Sequence, residues 1–353
     1  MLEHTPSIDI NGRCIGTDDF PYIIAELSAN HNGSIETAFE LIERAKLAGA
    51  DAIKLQTYTA DTLTLNSSRD DFKINTGLWA GKTLYQLYDS AHTPWDWHPA
   101  LFAKAKEIGI TLFSSPFDTT AIDFLEDLNA PAYKIASFEV IDLPLIRYAA
   151  STGKPLIIST GMANLEEIEE AVAAAKEAGC VQLALLHCVS GYPASPKDYN
   201  LKTLVHMAEH FDLVTGLSDH TLDNTTAIAS VAMGAAIIEK HFTLDRLGGG
   251  PDDSFSLEPD DLNALCQDSK TAWSALGSVN YDRKKSEQEN IIFRRSLYFV
   301  KDANCGELLT DKHIKSIRPG YGLAPKYIDD VIGKKAKRNV KRGMPVSRDD
   351  IVE

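Results

Sequence analysis

Apolar residues occur in short, regularly spaced runs along the first 245 residues of the chain. Eight runs, each five to seven residues long, lie at residues 22–27, 52–56, 111–116, 132–137, 155–160, 182–188, 214–219 and 237–242. Continuous apolar character over this length is typical of strands that are buried on both faces, as in a parallel sheet. The pattern predicts eight buried strands.

Most of the segments between these runs carry apolar residues at helical spacing, as in 34–50, 164–180 and 225–236. Several of the predicted helices end at a glycine just before the next strand, namely Gly49, Gly109, Gly179 and Gly234. This alternation indicates βα units, and eight units suit an α/β fold of the (β/α)8 TIM-barrel type over residues 1–277. An open doubly wound sheet stays an alternative, because the number of strands does not show closure.

The pattern changes after the predicted helix at 260–277. The charged stretch that follows predicts a linker at 278–290, and residues 291–353 hold short strands separated by turns rich in glycine and proline. A segment this short cannot build a large core alone. We therefore expect a small C-terminal β-rich domain that docks on a barrel, in this chain or in a partner chain.

Composition narrows the possible functions. The chain has 44% apolar and 24% charged residues, with no apolar run near the ~20 residues that span a bilayer. The N-terminal residues 1–14 lack the basic and apolar segments of a signal peptide, which predicts a soluble cytoplasmic protein. A net charge of −15 disfavours nucleic-acid partners and anionic membranes, and the five scattered cysteines predict reduced structural thiols.

Polar residues cluster where the predicted strands end, which is where TIM barrels hold their reacting groups. Glu26 ends the first strand, and Lys54 and Lys134 lie within apolar strands, where an unpaired ammonium is costly to bury. An anionic ligand would remove that cost, and we predict a site for a small doubly charged acid formed by Lys54, Lys134, Ser137, Ser159 and Ser218. The alternative is that each lysine pairs with a carboxylate such as Glu26 or Glu139.

Two histidines, His220 and His241, lie at the ends of consecutive predicted strands. Their position predicts a metal site. Two imidazole nitrogens with oxygens from water, Asp219 or substrate suit Mn2+ or a similar ion, whereas packing histidines are the alternative. The loop at 248–259 has three glycines and two acids, Asp252 and Asp253, which suit sugar hydroxyls. A plain flexible loop is the other interpretation of that segment.

These segments resemble the sialic acid synthase family over nearly the whole chain. The matching motifs are IAELSANHNGS, KLQTY, YKIAS, STGM, GLSDHT and EKHF. The resemblance implies a TIM barrel followed by an antifreeze-like (SAF) domain, a domain-swapped homodimer, and an enzyme that condenses phosphoenolpyruvate with an amino sugar. It also implies a divalent metal, Mn2+ or Mg2+, bound by His220 and His241.

The family motifs imply roles for individual residues as well. Lys54, Lys134, Ser137, Ser159 and Ser218 resemble phosphoenolpyruvate-binding positions, whereas Tyr192, Asp252 and Arg318 match positions that contact the sugar. Ser190 stands where the sialic acid enzymes carry an asparagine near phosphoenolpyruvate. Glu26 would position or deprotonate the water that adds to C2 of phosphoenolpyruvate.

Four segments resemble the branch of the family that makes pseudaminic acid rather than the N-acetylneuraminic or legionaminic acid branches. They are TADTLTLNS, GLWAGKTLYQLY, AHTPWDWH and PDDSFSLEP. The implied substrate is an N-acetylated 6-deoxy amino sugar, so Phe255 or Trp79 would supply an apolar surface for its methyl group. A noncatalytic sugar- or ice-binding protein and a metal-dependent aldolase are the rival classes.

Overall fold

A computed structural model of the protein describes residues 5–352. Eight parallel strands form a closed barrel. In the order in which they pair around it, they are β10 Ile237–His241, β3 Tyr22–Glu26, β4 Ala52–Thr57, β5 Thr111–Pro116, β6 Tyr133–Ile135, β7 Leu156–Ser159, β8 Leu183–Cys188 and β9 Val214–Asp219. The predicted TIM barrel is confirmed, and closure excludes the open sheet.

Helices connect the strands and cover the barrel. They are α1 Ile35–Ala48, α2 Ala60–Leu63, α3 Leu84–Ala91, α4 His98–Ile108, α5 Thr119–Asp127, α6 Leu143–Ser151, α7 Leu165–Glu177, α8 Lys202–Phe211, α9 Thr225–Ala232 and α10 Pro259–Leu276. Helix α1 shows how the sequence sets these bounds. The Ser34 side chain accepts a hydrogen bond from the Thr37 N–H at its start, and Gly49 ends it at a φ of 97°. Within residues 5–352, no helix is long and apolar enough to cross a membrane.

An N-terminal hairpin, which the apolar pattern did not predict, precedes the barrel. Strand β1 (Ser7–Ile10) pairs antiparallel with β2 (Arg13–Gly16) through a turn whose central residues, Asn11 and Gly12, both have positive φ. This is the Asn-Gly turn that suits a two-residue hairpin. Apolar side chains of the hairpin share a core cluster with residues at or just before the start of barrel strands, namely Tyr22, Ala52, Ala132 and Val214. The hairpin therefore closes the end of the barrel opposite to the strand C-termini.

The chain divides into two compact units, one ending at Gly277 and one beginning at Ser278. In the second unit, β11 (Ser296–Phe299) pairs antiparallel with β12 (Ile314–Ile317), and α11 spans Ile328–Val331. Its small core includes Leu297, Phe299, Leu309, Val331 and Val346. The predicted linker at 278–290 is grouped with this unit, and a 3-10 helix at Lys285–Phe293 overlaps it.

Candidate active site

Strand register brings three predicted site residues together at the carboxyl end of the barrel. His241 on β10 lies opposite Glu26 on β3, and Glu26 lies opposite Lys54 on β4. Glu26 is 1% exposed, and its Oε2 lies 2.8 Å from Lys54 Nζ. Gln56 Nε2 donates a hydrogen bond of 2.7 Å to the other oxygen of Glu26. Burial raises the pKa of Glu26, and the Lys54 ammonium opposes that rise.

Glu239 links the two buried lysines. Its Oε1 lies 3.2 Å from Lys134 Nζ and 3.5 Å from Lys54 Nζ. Both lysines therefore pair with carboxylates, which was the alternative considered from the sequence. The partner of Lys134 is Glu239 and not Glu139. Because two lysines face two glutamates here, the charges balance before any ligand binds.

The two lysines differ in the donors that they retain. Lys54 contacts Glu26, Glu239 and the Ser115 hydroxyl, which together use the three donors of its ammonium. Lys134 contacts only Glu239 among the described residues, so two of its donors stay available. Burial lowers the pKa of Lys134, and the Glu239 carboxylate opposes that fall. Lys134 is thus the better placed of the two to hold an anion.

Serine hydroxyls surround Gly161, two residues beyond the end of β7. The Gly161 N–H donates a 3.2 Å hydrogen bond to Ser137 Oγ. A Cβ atom at position 161 would lie 2.4 Å from Ser190 Oγ and 2.7 Å from Ser137 Oγ, so only glycine allows this approach. Ser159 Oγ and Ser190 Oγ are buried and have no hydrogen-bond partner in the described part of the chain. Hydroxyls of this kind suit a phosphate or carboxylate.

The fifth predicted serine, Ser218, is 3% exposed on β9. It lies in register between Cys188 on β8 and Glu239 on β10. The structure therefore places it on the strand next to the Glu239 carboxylate.

The two histidines lie side by side, with ring centroids 5.4 Å apart. His220 Nδ1 lies 2.8 Å from the Val189 carbonyl, which only accepts, so Nδ1 carries a proton and Nε2 is the nitrogen left to face a ligand. His241 Nδ1 is buried without a hydrogen-bond partner in residues 5–352, and it lies 3.8 Å from Asp252 Oδ2. Burial lowers the pKa of His241 well below its usual value, which keeps it neutral.

This pair fits a divalent metal that also takes ligands from water or substrate. Imidazole nitrogens are suitable donors, and the buried Nδ1 of His241 is a polar atom that still needs a partner. Across the described residues, no three His, Cys, Asp or Glu side chains form a complete metal site. The arrangement therefore leaves most coordination positions to oxygen from outside the protein.

Asp219 is paired with a lysine and is not available as a metal ligand beside the two histidines, contrary to one of the options from the sequence. Its Oδ2 lies 2.7 Å from Lys240 Nζ, and it accepts hydrogen bonds from the backbone and hydroxyl of Thr221. Lys240 also donates to the carbonyls of Thr221 and Asp223, each at 2.8 Å. The ion pair therefore fixes the turn that carries His220.

We expect Lys240→Met to lower the free energy of unfolding by about 3–5 kcal/mol, because it leaves the Asp219 carboxylate buried without its counter-ion. Urea denaturation followed by circular dichroism measures the loss. The double variant Lys240→Met with Asp219→Asn should recover part of it, and Lys202→Met on the exposed face of α8 is the matched control. A Lys240→Met protein as stable as the control variant would show that the pair does not stabilise the fold.

A cavity of about 400 Å³ opens beside these groups. Its polar lining includes Gln56, Ser137, Glu139, His241 and Asp252. Asp252 Oδ2 accepts a hydrogen bond from Ser28, and burial raises the pKa of Asp252 to about 6. Burial likewise raises the pKa of Glu139 to about 7, and its Oε2 has no hydrogen-bond partner among the described residues. The sequence prediction did not assign Gln56, Glu139 or Glu239 to the site, although each lies in or just beyond a predicted strand.

Aromatic side chains close one side of the cavity. The Tyr192 ring lies 4.5 Å from His220 and 5.8 Å from Trp79, measured between centroids, and both Tyr192 and Trp79 line the cavity. Phe255 is 2% exposed and packs against the rings of His241 and Tyr192, behind the cavity lining. Of the two aromatic residues predicted to face the substrate, the structure brings only Trp79 to the cavity.

The loop at 248–259 is held at Asp253, which is buried. Its carboxylate accepts hydrogen bonds from the Gly250 N–H at 2.7 Å and from the Thr243 hydroxyl and Asn32 amide. Asp253 therefore shapes the loop instead of facing the cavity, whereas its neighbour Asp252 lines the cavity. The interpretation as a plain flexible loop does not fit these contacts.

The last predicted site residue, Arg318, is exposed just after β12 in the second unit. Its role stays a prediction. The first unit alone brings together a buried acid, paired lysines, serines without a partner among the described residues and two adjacent histidines at the carboxyl end of a TIM barrel. These features define an enzyme site of the kind that binds an anionic substrate beside a metal.

Comparison with known proteins gives the family. The NeuB family profile matches residues 41–281, and a SAF domain profile matches residues 294–352. A pseudaminic acid synthase of Campylobacter jejuni is 45% identical over 95% of this chain and 97% of its own length. An N,N'-diacetyllegionaminic acid synthase of Legionella pneumophila is 37% identical over 91% of this chain and 92% of its own length.

Among solved structures, an N-acetylneuraminic acid synthetase of Leptospira borgpetersenii in complex with citrate is similar, with a TM-score of 0.73 and 30% identity. The match covers 83% of this chain and 98% of that chain. The protein described here belongs to the NeuB family, which confirms the resemblance and the SAF domain inferred from the sequence.

Proposed function

We propose that this protein is a pseudaminic acid synthase. It condenses phosphoenolpyruvate with 2,4-diacetamido-2,4,6-trideoxy-L-altrose and water, and it releases pseudaminic acid and phosphate. The observation that carries the proposal is the 45% identity to the Campylobacter jejuni enzyme over 95% of the chain, compared with 37% to the legionaminic acid enzyme. The barrel site supplies the groups that this chemistry needs.

Phosphoenolpyruvate binds in this proposal between Lys134 and the serines around Gly161. The free donors of Lys134 and the orphaned hydroxyls of Ser159 and Ser190 supply hydrogen bonds to its anionic groups. A short hydroxyl at position 190 reaches this space because Gly161 has no side chain. The same donors stabilise the phosphate as it leaves.

Synthases of the NeuB family are metal-dependent in general, and we propose Mn2+ or Mg2+ for this one. His220 and His241 hold the ion. When bound, a divalent metal polarises the carbonyl oxygen of the sugar aldehyde as a Lewis acid. The neutral state of His241, which burial maintains, leaves its ring nitrogens able to bind a cation.

Protein groups carry the remaining steps. C3 of phosphoenolpyruvate attacks the aldehyde carbon, and the aldehyde oxygen takes up a proton to become a hydroxyl. Water adds at C2, where positive charge develops. The buried Glu26 carboxylate, oriented by Gln56 and Lys54, positions this water and accepts its proton. As the C–O bond from C2 to phosphate breaks, the new hydroxyl at C2 loses its proton and becomes the ketone, so the two protons of water end on the sugar hydroxyl and on phosphate. Asp252 and Tyr192 contact the sugar from the cavity wall.

The family resemblance extends the proposal to the assembly. We propose a domain-swapped homodimer in which Arg318 of one protomer contacts the sugar bound by its partner. We also propose a cytoplasmic location, because phosphoenolpyruvate is formed there. Neither nucleic acid nor a membrane takes part.

The test is phosphate release from phosphoenolpyruvate with Mn2+ and each of three sugars. These are the trideoxy-L-altrose, the legionaminic acid precursor and N-acetylmannosamine. We expect release with the altrose alone. Release with one of the others would keep the mechanism and change the specificity. Pyruvate use without phosphate release would instead indicate an aldolase, and binding without turnover would indicate a sugar-binding protein.

A further inference from the structure

One wall of the barrel cavity is mainly aliphatic, and it comes from the connection between β4 and β5. Helix α3 presents Leu84, Leu87, Tyr88 and Ala91 to the cavity. These residues are spaced i, i+3, i+4 and i+7, which places them on one face of a helix. An amphipathic face usually packs against a core, whereas this one borders a space open to ligand.

Local sequence fixes this wall. Thr83 and Gln86 form a capping box that begins α3, and Thr59 with Thr62 forms another that begins α2. The two helices pack together, and Leu63 at the end of α2 and Ile74 between them line the same cavity. Four of these residues, Leu63, Ile74, Leu84 and Leu87, have side chains that neither donate nor accept a hydrogen bond.

The position of this aliphatic wall relates it to one end of the substrate. The sugar aldehyde carbon, C1, must lie beside His220 and His241, which are contributed by the region of β9 and β10. C6 is the opposite end of the open sugar chain. The connection after β4 is a different part of the barrel mouth, and the side chains that it offers to the cavity are mainly apolar.

We infer that the aliphatic wall, defined by Leu63, Ile74, Leu84 and Leu87, binds the C6 methyl group and selects 6-deoxy sugars over sugars with a C6 hydroxyl. The inference rests on the proposed function. A methyl group in contact with these four side chains gives up no hydrogen bond, whereas a hydroxyl in contact with them gives up its water and gains no partner from them. An apolar pocket discriminates against an added hydroxyl by about 100-fold.

The test compares kcat/KM for 2,4-diacetamido-2,4,6-trideoxy-L-altrose with that for 2,4-diacetamido-2,4-dideoxy-L-altrose, which differs by one hydroxyl at C6. Wild-type protein should prefer the 6-deoxy sugar by about 100-fold. Leu87→Asn and Ile74→Thr each place a hydrogen-bonding group in the wall, and each should lower this preference about tenfold. Leu65→Asn is the matched control, because Leu65 is 67% exposed in the same connection and does not line the cavity.

Thermal melting first identifies the variants that fold. If Leu87→Asn does not fold, the sugar preference of Ile74→Thr decides the question. The inference is supported if the preference for the 6-deoxy sugar is lower in the folded wall variants and unchanged in Leu65→Asn. A preference equal to wild type in the folded wall variants overturns it, even though the wild-type enzyme still uses the 6-deoxy sugar. Wild-type turnover of N-acetylmannosamine alone would overturn the proposed function and the inference together.

Discussion

Replacing His241 with alanine is expected to lower phosphate release by about a thousandfold, and the same holds for His220. The reason is that a Lewis acid contributes several kcal/mol to the transition state and each ~1.4 kcal/mol is tenfold in rate. The two rings lie 5.4 Å apart, which suits two ligands of one ion, so the loss of either removes half of the protein ligands proposed for the metal. Phosphate release measured against Mn2+ concentration gives the effect.

Binding of Mn2+ by itself provides a second measurement that does not depend on turnover. Isothermal titration should show one site per protomer in the wild type and a much weaker one in either histidine variant. His206→Ala, on the exposed side of α8, is the matched control. Full activity of a histidine variant after exhaustive chelation would remove the metal from the mechanism.

The barrel could be predicted from sequence because buried parallel strands are continuous apolar runs with abrupt ends. The run at 214–219 coincides with β9, and the run at 237–242 extends one residue beyond β10. The N-terminal hairpin was missed although the Asn11-Gly12 turn carries the signal for it. Its strands have four residues each, which is too short for an apolar run to stand out.

The residue types of the site could also be predicted, but their partners could not. Glu239 is 105 residues from Lys134 in sequence, and closure of the barrel is what brings them to 3.2 Å. Closure is also the reason that Glu239, and not the sequence neighbour Glu139, takes this role. Asp219 is not a metal ligand candidate once alternation is applied to β9, because Asp219 lies on the face opposite to Ser218, where Lys240 is its neighbour.

The paired charges change how the anion site should be understood. A cavity with two unpaired lysines would bind any small dianion, whereas balanced charges give the site little net attraction of its own. Affinity for phosphoenolpyruvate must then come from fixed hydroxyls and from the two free donors of Lys134. The same balance keeps Glu26 close to an ammonium, where its carboxylate is oriented before the substrate arrives.

Replacing Glu26 with glutamine should therefore lower kcat by about 10²–10⁴-fold, the usual contribution of a general base, and change KM for phosphoenolpyruvate by only a few fold. Glutamine keeps the shape and accepts the Gln56 hydrogen bond, but it cannot accept a proton from water. Steady-state phosphate release at saturating sugar measures both constants. Glu40→Gln, whose side chain is 56% exposed on α1, is the matched control.

The pH dependence separates a base from a residue that only supports the structure. Burial raises the pKa of Glu26, so the wild-type rate should fall with decreasing pH while an ordinary glutamate would still be ionised. Because the carboxylate is the active form, activity is present above this raised pKa and is lost below it. The residual rate of Glu26→Gln should lack that fall, and Glu26→Asp should restore it in part. A glutamine variant with the wild-type kcat and pH profile would remove Glu26 from the chemistry and leave it as the partner of Lys54.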